Sequence, residues 1–147
     1  MAYFPDMSDY CYHHNGIRPK TKTVGWLSRE HTFEKEMPSQ EHLTLLWDFC
    51  TVQTMQMRGF HLCELCENPE RSHLLVQRNG ETLSLGSAEI RVFGNDGTIY
   101  AAPNLIYHYV RDHGYRPPQS FLTALENSPK PPSQEFFDRL VELDLDR

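Results

Sequence analysis

A chain of 147 residues, 39% hydrophobic and 23% charged, has the size and composition of one soluble globular domain with a real core. Its net charge of −6 argues against a nucleic-acid backbone as partner, because phosphate binding needs a basic face. No apolar run approaches the roughly 20 residues of a membrane span, and the start, Met1-Ala2-Tyr3-Phe4-Pro5-Asp6, lacks a positive region followed by an apolar stretch, so no secretory signal is expected.

Residues 1–37 are aromatic and irregular, with Tyr3, Phe4, Tyr10, Tyr12, Trp26 and Phe33 set among turn formers, and they read as a wrap laid over the rest of the domain. A strand is expected over Thr21 to Leu27. The first helix is expected over Pro38 to Cys50, with Pro38 in the first turn or Ser39 as its cap. Leu43, Leu46, Trp47 and Cys50 recur at helical spacing and form one buried stripe, which makes Cys50 a small core residue. Thr51 to Met57 reads as a strand.

Two hairpins follow. The first pairs His73 to Arg78 with Glu81 to Leu85 about Asn79-Gly80, a sequence that suits a tight type I′ turn. The second pairs Ser87 to Phe93 with Thr98 to Ala101 about Gly94-Asn95-Asp96-Gly97, with Gly86 as the bend between hairpins. In its first strand Ala88, Ile90 and Val92 alternate with Ser87, Glu89 and Arg91, the pattern of a half-buried strand. A second helix is expected from Pro103 to about His113, stopped by Gly114. A third opens at Pro117-Pro118, with Phe121, Leu122 and Leu125 inward. After a Pro-rich break at Ser128 to Pro132, Ser133 caps a fourth, with Phe136, Phe137, Leu140 and Val141 inward. The expected fold is therefore α+β: an antiparallel sheet of two hairpins plus additional strands, about four helices mainly on one face, and a zinc knuckle. Residues 1–147 form a single domain, 128–147 contributing the Pro-rich break and the last helix.

The chemistry is concentrated in Arg58-Gly59-Phe60-His61-Leu62-Cys63-Glu64-Leu65-Cys66. Thiolates three positions apart can share one metal ion, because a tight turn aims both sulfurs at one point. The four cysteines are Cys11, Cys50, Cys63 and Cys66. A chain of this size needs no disulfide staples, so a reduced, cytoplasmic compartment is expected, where C-x-x-C reads as metal or redox. His61, two residues upstream of Cys63, adds an imidazole. A closed zinc site needs four ligands, so a distant residue must complete it. His108 is chosen, about 60° from Leu105 on the flank of the apolar face of the second helix. His31, His113 and Cys11 stand behind it. The expected metal ligands are His61, Cys63, Cys66 and His108, and the metal is zinc.

Other chemistries fit less well. A thiol oxidoreductase places its C-x-x-C after a strand and at a helix N-terminus, whereas here two hairpins follow. A zinc deaminase needs H-x-E and P-C-x-x-C, and both are missing, as is H-E-x-x-H. Glu64 and Glu89 are the acids considered as general bases, and both are expected to face solvent. Ser87 lacks a G-x-S-x-G setting. Lys20-Thr21-Lys22 is too short for a nucleic-acid patch.

Five stretches carry a resemblance: Tyr3-Phe4-Pro5-Asp6; Val24-Gly25-Trp26-Leu27; Arg58-Gly59-Phe60-His61-x-Cys63-Glu64-x-Cys66; Leu85-Gly86-Ser87-Ala88-Glu89-Ile90-Arg91-Val92; and Tyr100 to Val110 followed by Tyr115-x-Pro117-Pro118. Over residues 3 to about 125 the chain resembles a bacterial family of small uncharacterised proteins. The resemblance implies that the knuckle and the segment around His108 belong to one site, and it implies no activity.

The function expected is a cytosolic zinc-binding protein acting as a binding or interaction module, of an immunity or regulatory type. Its acidity suits a basic protein partner, whose association complementary charge would speed. Neither nucleic acid nor membrane is expected as a partner. The alternative is a zinc-dependent, hydrolase-like enzyme, in which three protein ligands leave one position for water. Ligand count separates the two.

Overall fold

The computed structural model describes residues 3–10, 20–70 and 74–143. In chain order its elements are β1 (Thr21–Thr23), α1 (Gln40–Cys50), β2 (Leu75–Arg78), β3 (Glu81–Ser84), β4 (Glu89–Phe93), β5 (Ile99–Pro103), α2 (Ile106–His113), α3 (Gln119–Asn127) and α4 (Gln134–Glu142). The architecture is mixed α+β. The hairpins lie in separate sheets: β2 pairs with β3 alone, while β4 and β5 join β1 in a sheet of order β1-β5-β4, in which β1 runs parallel to β5.

Local chemistry explains most element ends. Asn79 and Gly80 both take positive φ, at 52° and 82°, as a type I′ turn requires. Ser39 and Ser133 accept hydrogen bonds from the amides of His42 and Phe136, so each supplies a helix with an oxygen for an otherwise orphaned N–H. Gly114 closes α2 in the left-handed conformation, at φ 68°.

Several expectations are corrected. The segment 51–57 is not a strand: Met55 takes φ 50°, which breaks the extension, so only Thr54 bridges β4 at Glu89. The first strand stops at Thr23 because Gly25 turns the chain at φ 80°. Helix α2 begins at Ile106, since Pro103 still pairs with Glu89 in the sheet. Val141 is exposed and Phe137 only partly buried; α4 docks through Phe136, whose ring meets Phe49 and Phe93 edge-on, and through Leu140. The expected start of the first hairpin, at His73, lies outside the described residues.

The largest correction concerns β4, which is buried on both faces. Ile90 and Val92 enter the main core with α1 and α3, as alternation requires. Glu89 and Arg91, read as solvent-facing, are only 3% and 2% exposed. Residues 4–10 run along β1, with Met7 and Tyr10 donating backbone hydrogen bonds to Thr23 and Thr21, and bring Tyr10, Phe4 and Trp26 over that second face. There Arg91 Nη1 and the Tyr10 hydroxyl each donate to Glu89 Oε1 at 2.9 Å. The Arg91 guanidinium also lies 4.8 Å from the centre of the Tyr10 ring. The wrap is pinned by Asp6, whose carboxylate accepts from Tyr115 Oη at 2.7 Å and from the Gly25 amide at 3.0 Å. Among the described residues no helix is long and apolar enough to cross a membrane.

Candidate metal centre

The knuckle approaches α2 because a glycine lets it pass. Gly86, at φ 96°, accepts a hydrogen bond from the His61 amide at 2.8 Å, and a Cβ there would lie 2.9 Å from the His61 carbonyl oxygen. Its own amide donates to Asn104 Oδ1 at 2.8 Å, at the junction of β5 and α2. The route Asn104–Gly86–His61 thus ties the approach to the knuckle to the start of the helix. Beyond it, Cys63 and Cys66 turn toward α2.

Four ligand atoms converge there. The sulfurs of Cys63 and Cys66 and one nitrogen each of His108 and His113 all lie within 4.8 Å of one another. His108 Nε2 lies 3.3 Å from Cys66 Sγ, and His113 Nε2 lies 3.4 Å from Cys63 Sγ and 3.5 Å from Cys66 Sγ. A tetrahedron with metal–sulfur bonds of about 2.3 Å and metal–nitrogen bonds of about 2.05 Å has sulfur–nitrogen edges of about 3.5 Å. The residues present therefore fit a four-coordinate ion.

Electrostatics suit the same purpose. Burial pushes the Cys63 thiol up to about 11, although the amides of Leu65 and Cys66 donate to its sulfur and oppose that rise. Burial draws both His108 and His113 below the usual histidine range, so both rings present a neutral nitrogen at pH 7. His108 Nδ1 donates to Asp112 Oδ2 at 2.8 Å, which turns Nε2 and its lone pair toward the sulfurs. Partial burial works against the Asp112 charge, but the Arg111 guanidinium and His108 together hold its carboxyl below the usual carboxylate range. On the other side Arg29 Nε donates to the Glu64 carbonyl at 2.6 Å and Nη2 to the Cys66 carbonyl at 3.1 Å, clamping the knuckle.

Cys63, Cys66 and His108 are brought together. His61 is outside the group of four, its backbone committed to Gly86. His113, ranked behind His108 as a candidate ligand, stands within it. The two histidines are five positions apart, about 140° round a helix, so periodicity puts them on different faces. Side chains lean toward the helix N-terminus, and the His113 ring folds back until the ring centres are 4.9 Å apart. The signal available in sequence was only the histidine count on α2. Cys50 is buried against α2, its thiol 3.7 Å from the Asn104 carbonyl. His31 is exposed and stacks on Tyr3. Cys11 lies outside the described residues. Glu64 is exposed as expected, whereas Glu89 is sealed under the wrap.

This geometry separates the histidines. His113→Ala and His108→Ala should each weaken metal binding by more than the 10–100-fold typical of losing a group behind a ligand, while His61→Ala should leave affinity within a few-fold. Competitive metal titration checks this; a larger loss at His61 than at His113 would show that the four atoms are not the ligand set.

A family model described as a domain of unknown function (DUF7919) matches residues 2–126. No curated protein and no solved structure matches the chain.

Proposed function

The chain belongs to that family of unassigned function, and we propose that it is a small cytosolic zinc-binding protein acting as a binding or interaction module. The observation that carries this reading is the count of convergent ligands. Two thiolates and two imidazoles fill a tetrahedral shell and leave no position for a reacting water, which is the arrangement of a structural site. Zinc suits the donor set: sulfur and imidazole nitrogen select it over hard cations, which prefer oxygen. The ion would join the knuckle to α2 across some forty residues of chain. The net charge of −6 suits a basic protein partner. The hydrolase-like alternative would require one of the four ligands to be absent from the metal.

Protein purified without chelator should contain about one zinc per chain by elemental analysis. Cobalt exchanged into the site should give the intense visible bands of a tetrahedral thiolate complex. Metal uptake should release protons, because thiol ligands bind as thiolates, while burial draws both histidines below the usual range and leaves them few protons to give up at pH 7. Acid therefore opposes binding, and affinity should fall by up to about 100-fold per pH unit below the thiol range. Absence of metal sinks the proposal. A five-coordinate cobalt spectrum that changes with added anions would move the reading to the hydrolase-like enzyme.

A further inference from the structure

The segment joining β1 to α1 is strapped across the metal centre at both ends. Arg29 holds the knuckle carbonyls at one end. At the other, the Glu36 amide donates to the Gly114 carbonyl at 2.8 Å and the Arg116 amide to the Glu34 carbonyl at 2.9 Å, fastening the strap beside the end of α2. Beneath it opens a cleft of about 430 Å³ whose walls include Arg29, His31, Phe33, Lys35, Leu65 and the metal-site histidine His113.

The charge of this cleft runs against that of the molecule. The protein carries −6, yet among the described residues no acidic side chain lines the cleft, while the cations Arg29 and Lys35 do. The Arg29 side chain bonds only carbonyl oxygens, while its backbone amide donates to Glu64 Oε1 at 3.4 Å; among the described residues Lys35 has no carboxylate partner, and its Nζ stands 5.2 Å over the Phe33 ring. Two of the five N–H donors of the Arg29 side chain are engaged by the knuckle, and among the described residues the other three have no partner. A zinc ion with two thiolates and two neutral imidazoles has no net charge, so the neighbouring centre would not repel an anion.

We infer that this cleft binds a small oxyanion, the phosphate or carboxylate group of a small molecule, between Arg29 and Lys35 at the edge of the metal centre. The inference rests on the zinc-module reading and names the ligand class that the module receives. Arg29 has a double role in it: the guanidinium that meets the anion also grips the carbonyls of Glu64 and Cys66. Lys35 is not among the four ligand residues, and it acts on the metal centre through its charge, which helps to draw His113 below the usual histidine range.

Metal-replete protein titrated with inorganic phosphate, and separately with citrate, in low-salt buffer should show saturable binding of at least one, and the preferred anion tells phosphate from carboxylate. Lys35→Glu should weaken binding by at least about tenfold, as expected for losing one charge-assisted contact, with zinc content unchanged. Lys130→Glu alters the net charge equally, far from the strap in sequence, and should leave affinity unchanged. Equal losses in the two variants, or no binding of either anion by metal-replete protein, overturn the inference and leave the zinc reading standing. Chain that holds no metal yet binds phosphate through Lys35 keeps the cleft and sinks the zinc reading.

Discussion

Stripping the metal with a strong chelator lowers the melting temperature by at least about 10 °C. Structural zinc supplies on the order of 10 kcal/mol of apparent binding energy in small domains, comparable with the whole stability of a typical domain, about 5–15 kcal/mol. This chain has a core of its own, running from Val24 to Leu140, so the metal-free form should stay compact and retain part of its stability. Even half of that energy, at about 2–4 °C per kcal/mol for a chain of this length, gives a drop of about 10–20 °C. Cys63→Ser and Cys66→Ser should reproduce the effect and make it insensitive to chelator. Cys50→Ala is the control: its sulfur lies in the core, so the variant should keep the metal and lose about 1–2 kcal/mol of packing. Calorimetry with and without chelator decides the matter. An unchanged melting temperature in protein shown to hold metal beforehand would mean that the ion does not brace the fold.

Arg91→Ala should cost about 3–5 kcal/mol, because it strands the Glu89 carboxylate in a site with almost no water. Glu89→Ala should cost a similar amount by stranding the guanidinium. Tyr10→Phe, which removes one of the two donors on Glu89 Oε1 while the Arg91 contact remains, should cost only about 1–2 kcal/mol. Replacing the pair together, as Glu89→Leu with Arg91→Met, should recover most of the single-variant loss, since matched apolar groups leave no charge to be desolvated. Urea unfolding of the four variants measures these differences. A loss below about 1 kcal/mol for Arg91→Ala would mean that water reaches the sheet face and that the wrap opens readily.

The buried pair also shows where sequence reading stops. Glu89 and Arg91 sit at alternate positions of a strand, and alternation alone assigns them to solvent. What covers them is a segment eighty residues earlier in the chain, and no local pattern records that contact. The same holds for the parallel pairing of β1 with β5, which joins residues far apart in sequence.

What the sequence determined by itself was whatever short-range chemistry decides. Asn79-Gly80 required its turn, Ser39 and Ser133 started their helices, Gly114 ended α2, and the C-x-x-C spacing marked a sulfur pair aimed at one point. Each of these is a matter of a few neighbouring dihedral angles and orphaned amides. Tertiary structure alone decided which histidines face that sulfur pair. His61 is adjacent in sequence, but its peptide is taken up by Gly86. His113 is fifty positions from Cys63, yet its ring reaches the site because α2 packs against the knuckle and side chains lean back along a helix. Ligand convergence depends on how separate elements dock, and docking is set by the burial of whole faces rather than by the spacing of residues along the chain.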